Sequence, residues 1–168
     1  MKDNIILIGM PGCGKSTIGV LLAKNLAYGF LDSDLVIQEQ SGRKLQEMID
    51  EMGPEAFSAF EDAVNATLIP HNTVIATGGS AVYGTRAMEH FKEIGTVVYL
   101  KASYETIEKR IRNFATRGIV IPEGQTFRDV YNERTALYEK YADITVDVDA
   151  DKANIWDVVE AITANLNH

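Results

Sequence analysis

Gly9-Met10-Pro11-Gly12-Cys13-Gly14-Lys15-Ser16-Thr17 follows the apolar run Ile5 to Ile8 and precedes apolar residues at helical spacing, Ile18, Leu21, Leu22 and Leu26. That order reads as strand, glycine loop, helix. Glycines at the first and sixth positions followed by Lys and Ser give the Walker A pattern in the strand-to-helix context it requires. The turn offers backbone N–H groups of Gly12, Cys13, Gly14, Lys15, Ser16 and Thr17 to phosphate oxygens, and the following helix points its positive end at them. Lys15 is then expected to reach the β and γ phosphates of ATP, and the Ser16 hydroxyl to ligate Mg²⁺. A turn that only joined a strand to a helix would not demand Lys-Ser at this register. Cys13 sits among N–H groups of the kind that activate a thiol, a setting for oxidation or metal poisoning; a small residue filling a tight loop is the simpler reading.

Outward from the loop, short β-rich runs recur at Phe30–Leu31, Thr73 to Thr77, Thr96 to Leu100 and Ile144 to Val148, with helix-like segments between them. Five strands alternating with helices predict a three-layer α/β/α domain on a five-stranded parallel sheet. Apolar stripes at Leu45, Met48, Ile49 and Met52, at Phe57, Phe60, Val64 and Leu68, and at Ile155, Val158, Ile162 and Leu166 mark core-facing helices. Residues 113–125 carry two glycines, a proline and no period, the composition of a flap, before helical spacing resumes over Thr126 to Tyr141. No repeat or linker divides the chain, so residues 1–168 are expected to form a single domain.

Composition narrows the partners. The 168 residues are 46% hydrophobic, and 24 acidic against 16 basic side chains leave a net charge of −8. That balance disfavours broad attraction to nucleic acid or anionic membrane and leaves a small molecule as the expected partner. No apolar run approaches the roughly 20 residues that span a bilayer, and the first residues lead straight into a strand, so a cytoplasmic protein is expected. One cysteine allows no internal disulfide.

The class of nucleotide enzyme follows from what surrounds the loop. The run Val74-Ile75-Ala76 continues into Thr77-Gly78-Gly79 rather than the Asp-Glu of a water-activating ATPase, and no Asn-Lys-x-Asp guanine reader occurs. Phe30-Leu31-Asp32-Ser33-Asp34 instead places two carboxylates at the end of the second strand, the edge where ligands bind in this architecture. One carboxylate can hold the water shell of the metal while the other faces an acceptor hydroxyl, the division of labour that phosphoryl transfer needs. A solvated acidic turn is the bland alternative.

With the loop and this acidic pair, Gly42-Arg43, the Phe57 to Glu61 helix, Gly78-Gly79, Arg110, Arg117 and Glu133-Arg134 with Leu137-Tyr138 fall in an order and spacing that resembles the shikimate kinases along nearly the whole chain. The resemblance implies a nucleoside monophosphate kinase-like fold with a lid over ATP. It implies that Asp32 helps position Mg²⁺, that Asp34 binds the acceptor hydroxyls, that Arg117 in the lid touches the phosphates and that Arg110 lies near adenine. Arg134 would take the carboxylate of the substrate, with Glu61, Gly78 and Gly79 beside it. An arginine closing over a transferring phosphoryl group stabilises its developing charge and excludes water. Lys15, Asp34 and Arg117 are therefore the expected catalytic residues.

The acceptor half departs from the pattern. Ser58 stands where an arginine usually precedes Glu61 by three residues, and Ser80 replaces the third glycine after Gly78-Gly79. Ser58 and Glu61 are expected on one helix face looking into the acceptor site, and Ser80 is expected to make the pocket smaller or differently polar. Arg86, Arg43 and Lys44 are candidate replacement cations, although solvated surface charge is their simpler role. Gly118 and Ile119 follow Arg117 where a proline is usual, and Thr135-Ala136 precedes Leu137-Tyr138 in place of a proline-containing approach. His71, His90 and His168 have no partner motif. Two alternatives to a shikimate-type kinase stay open: a kinase for another hydroxy acid or polyol, and a nucleotide-binding regulatory module without turnover. Lys15→Met is expected to leave a folded protein whose phosphoryl transfer falls by about 10²-fold or more, because a point charge beside the transferring group is lost. Steady-state ADP release on the purified variant checks this, and wild-type turnover there would remove Lys15 from the chemistry.

Overall fold

The structure, a computed structural model, describes residues 2–112, 119, 121–149 and 154–166. Five strands, β1 (Asn4–Ile8), β2 (Gly29–Asp32), β3 (Thr73–Ala76), β4 (Gly95–Lys101) and β5 (Ile144–Asp147), make one sheet in the order β2-β3-β1-β4-β5 with every pair parallel. All five lie where the β-rich runs place them. Eight helices are described: α1 (Lys15–Leu26), α2 (Ser33–Ser41), α3 (Leu45–Met52), α4 (Pro54–Asn65), α5 (Thr85–Ile94), α6 (Tyr104–Arg112), α7 (Phe127–Tyr141) and α8 (Ile155–Leu166). A short 3-10 turn covers Ala81–Tyr83.

Strand β1 is buried along its whole length, which is why Ile5 to Ile8 reads as an unbroken apolar run rather than an alternating one. Its Ile6 pairs with Ile75 of β3 on one side and Val97 of β4 on the other. Strand order reverses direction about β1, so the carboxyl end of that strand is the switch point where such sheets open a crevice. Helix α1 packs on β1, β2 and β3 and against α8, while α5 and α7 pack on β4. A second, smaller cluster of Ile37, Met48, Phe57 and Val64 joins α2, α3 and α4 to one another. Helix α2 has no apolar stripe of its own in the sequence; it is started by the Asp32 side chain, which accepts from the Asp34 N–H. Helix α7 begins where helical spacing resumes, with Thr126 and Asp129 capping each other reciprocally. The expected lid lies partly outside the described residues, Arg117 included; of it, residues 119 and 121–125 are described as non-helical chain.

Asn4 is an unexpected tie in this sheet. It is 2% exposed, and its amide donates to Pro70 O at 2.8 Å and Ile94 O at 3.0 Å while accepting from the Thr73 N–H at 3.1 Å. One side chain thus joins the start of β1 to the chain entering β3 and to the end of α5. Asn4→Ala leaves a buried N–H and two carbonyls without these partners, each costing about 1–3 kcal/mol less whatever relaxation returns. Urea unfolding is expected to show a loss of roughly 2–4 kcal/mol, and a loss below about 0.5 kcal/mol would show that the amide holds nothing in place.

Candidate active site

The loop closing β1 turns on glycines that adopt backbone a side chain resists, Gly12 at φ 80° and Gly14 at φ 99°. Gly14 is also the N-cap of α1, so the turn and the helix end share one residue. The Lys15 ammonium bonds Gly9 O at 2.7 Å and Met10 O at 2.9 Å and lies 3.7 Å from Cys13 Sγ. Cys13 is 2% exposed, so its side chain packs under the loop as the simpler reading holds. Arg110, near the end of α6, donates to Gly12 O at 2.9 Å and so reaches the loop.

Where β2 ends, Asp32 is held by both oxygens. Oδ1 accepts from the Asp34 N–H at 2.9 Å and Oδ2 faces the Ser16 hydroxyl at 3.2 Å. Asp34, in the first turn of α2, enters a cleft of about 540 Å³ that also takes in Lys15, Glu61, Gly78 and Arg134. Burial pushes the Asp34 carboxyl from 3.8 to about 6; the Asp32 charge adds to the rise and Lys15 opposes it. Glu61 of α4, 1% exposed, is raised to about 7, first by burial; its hydrogen bond from Ser80 opposes the shift, as does Arg134, while Asp34 and Asp62 add to it.

Gly78 shows how closely the two acids converge. A Cβ built there would lie 2.7 Å from Asp34 Oδ1 and 2.9 Å from Glu61 Oε2, so only glycine leaves room between them. The Ser80 hydroxyl lies 2.7 Å from Glu61 Oε1, whereas Glu61 Oε2 has no hydrogen-bond partner among the described residues. Across the cleft, Arg134 of α7 is 4% exposed and forms no ion pair among the described residues, and its Nε is likewise without a partner. Tyr138, one helical turn on, donates to Gly79 O at 2.6 Å and fixes the glycine strip beside that guanidinium.

Gly12, Gly14, Lys15, Ser16, Thr17, Asp32, Asp34, Glu61, Gly78, Gly79 and Arg134 all border this one cleft. Ser58 does not border it, although Phe57 and Glu61 of the same helix do. Of the candidate cations, Arg43 is paired with Glu51 and Arg86 is exposed away from the cleft, while Lys44 does border it. Gln38, Ile49 and Phe57 are wall residues that sequence reasoning did not pick. Ile49 carried only a core-stripe signal, Phe57 that signal and a place in the helix that ends at Glu61, and Gln38 carried none.

The chain is similar to known proteins along most of its length. The family profile described as shikimate kinase matches residues 11–166. A shikimate kinase of Thiobacillus denitrificans is 37% identical over 149 residues, covering 87% of this chain and 81% of the relative. One of Chlorobium chlorochromatii is 35% identical over 173 residues, covering 96% and 90%. The solved structure of a shikimate kinase from Acinetobacter baumannii, in complex with shikimate, superposes with a TM-score of 0.86 at 29% identity, covering 99% of this chain and 93% of that one.

Because Asp34 titrates near 6 in the fold and near 3.8 when exposed, the native state binds more protons between about pH 4 and 6. Stability contributed by this residue therefore falls as pH rises through that window, by up to about 3 kcal/mol. Asp34→Asn is expected to unfold at higher urea than wild type at pH 8 by about 1–3 kcal/mol, with the advantage gone below pH 4. The same variant is expected to lose phosphoryl transfer by about 10²-fold or more while calorimetric ATP affinity stays within about threefold. Equal loss of nucleotide binding and turnover would make Asp34 a metal-holding or structural residue.

Proposed function

The chain belongs to the shikimate kinase family, ATP-dependent phosphotransferases with an alcohol acceptor, and from that premise we propose that it phosphorylates a hydroxyl of shikimate. The observation that carries the substrate reading is Arg134, a buried guanidinium without an ion-pair partner among the described residues, set in the same cleft as two buried carboxylates. A buried cation asks for an anion, and Asp34 and Glu61 ask for hydroxyl donors. A small hydroxylated acid meets both demands, and a planar guanidinium reads its carboxylate with two parallel hydrogen bonds.

In this reading the loop N–H groups and Lys15 hold the phosphates of ATP, and Arg110 steadies the loop through Gly12 O. Asp34 accepts the hydrogen of the acceptor hydroxyl and orients that oxygen toward the γ-phosphorus. As the new P–O bond forms and the bond to ADP breaks, the hydroxyl proton passes to Asp34, and Lys15 stabilises the charge on the transferring group. Arg117, in the lid we assign to residues 113–125 of a single domain, would add a second cation there. A hydroxyl and a carboxylate 3.2 Å apart at Ser16 and Asp32 fit Mg²⁺, which keeps most of its waters and takes one or two protein oxygens besides phosphate. Held by Ser16 and Asp32, the metal would neutralise negative charge on the phosphates of ATP. Among the described residues no helix is long and apolar enough to cross a membrane.

Ser58 outside the cleft favours one second reading, a kinase of the same mechanism for another hydroxy acid or polyol. ADP release measured with shikimate and a panel of hydroxy acids and polyols separates the readings. Shikimate is expected to give kcat/KM above about 10⁴ M⁻¹s⁻¹ and to exceed every other acceptor. A better acceptor on the panel would overturn the substrate assignment, and ATP binding without acceptor-dependent release would leave only a regulatory nucleotide-binding module.

A further inference from the structure

Ser80 adds a Cβ and a hydroxyl directly after Gly78-Gly79 at the wall of the cleft, and the hydroxyl lies 2.7 Å from Glu61 Oε1. The residue has little freedom to do otherwise. Its carbonyl accepts from the Tyr83 N–H at 3.1 Å, and the next N–H, of Ala81, bonds Gly78 O at 3.1 Å, so a closed helical turn sets where its side chain points. Glu61 has no ion pair among the described residues, and the Ser80 hydroxyl is the single hydrogen-bond donor that reaches its carboxylate there. The second oxygen, Oε2, is left beside Gly78 and Asp34 with its acceptor capacity unused. Ser58, three residues earlier on the same helix, brings no charge to brace this acid.

We propose that Ser80 is a positioning residue for the acceptor: its hydroxyl pins Glu61 Oε1 so that Oε2 stays turned into the cleft, where it accepts a hydrogen bond from an acceptor hydroxyl neighbouring the one held by Asp34. A carboxylate on a flexible Glu side chain can otherwise sample several rotamers, and fixing it in advance removes that ordering cost from binding. A hydroxyl pins the acid without neutralising it. Glu61 therefore feels Asp34 from α2, Arg134 from α7 and Asp62 on its own helix, with Lys44 ahead of α3 bordering the same cleft. This inference deepens the shikimate kinase reading and rests on it for the identity of the acceptor.

Two measurements on Ser80→Ala, Ser80→Gly and Ser80→Thr test it. The first is the titration of the Glu61 carboxyl by carbon-13 NMR in the free protein. It is expected to move upward from about 7 in the alanine and glycine variants, because a donor to the ionised form is gone, and to return in the threonine variant, which keeps the hydroxyl. The second is steady-state kinetics with shikimate. Alanine and glycine variants are expected to raise the shikimate KM about tenfold, with kcat and the ATP KM within about twofold, and threonine to restore it. An unmoved Glu61 titration overturns the contact, and an unmoved acceptor KM beside a moved titration overturns the positioning role. Should wild type ignore shikimate and use another acceptor, the substrate reading fails and the same KM comparison on that acceptor decides the role of Ser80. Should it use none, the titration alone decides, upward movement sustaining the pinned carboxylate and no movement ending it.

Discussion

The cleft hangs from the place where β1 stops. A strand buried on both faces spends its N–H and C=O groups on its neighbours, and at Gly9 the chain leaves that ladder with its next N–H groups unclaimed by the sheet. Turning them together on left-handed glycines, at the positive end of α1, makes an anion site from main chain alone. Because β2 and β3 run parallel to β1, their carboxyl ends arrive at the same edge and bring Asp32, Thr77 and Gly78 with them. Thr77 makes that meeting exact in register, since both its N–H and its hydroxyl donate to Leu7 O. The phosphate side and the acceptor side are thus fixed relative to one another by the sheet.

The acceptor side stores unfavourable electrostatics. Asp34 and Glu61 are both driven upward first by burial, Asp34 further by Asp32 and Glu61 further by Asp34, and Arg134 stands near Glu61 without closing an ion pair among the described residues. A core repacked for stability would neutralise or remove these groups. Their survival as partly unsatisfied polar atoms follows from what a hydroxylated acid offers on arrival, donors for the carboxylates and a carboxylate for the guanidinium. The binding energy of the acceptor is in part the relief of that local cost.

Much of this was legible in the amino-acid order because the features obey short-range rules. The phosphate loop has fixed spacing, the strands are compact apolar runs, and Asp32 and Asp34 stand at a strand end whose place in the sheet follows from topology. What escaped notice depends on long-range contact. Asn4 looks like a polar residue ahead of a strand, and only the folded chain shows its amide reaching Pro70, Thr73 and Ile94. Ser80 reads in sequence as a change in the size or polarity of the pocket, and only the folded chain shows its hydroxyl meeting an acid 19 residues earlier. Ser58 was expected to look into the acceptor space with Glu61, yet of the two only Glu61 borders the cleft.

The central position of β1 also sets a timetable for the growing chain. Both of its neighbours lie far downstream, and Asn4 meets Thr73 only 69 residues later. At about 5–20 residues per second, synthesis leaves the most buried strand of the protein without a partner for roughly 3–14 seconds. For that interval Ile5 to Ile8 is an unpaired apolar edge, followed by a loop that has no reason to close until β3 and β4 flank it. The segment that anchors the nucleotide is, on the ribosome, the one most in need of shelter.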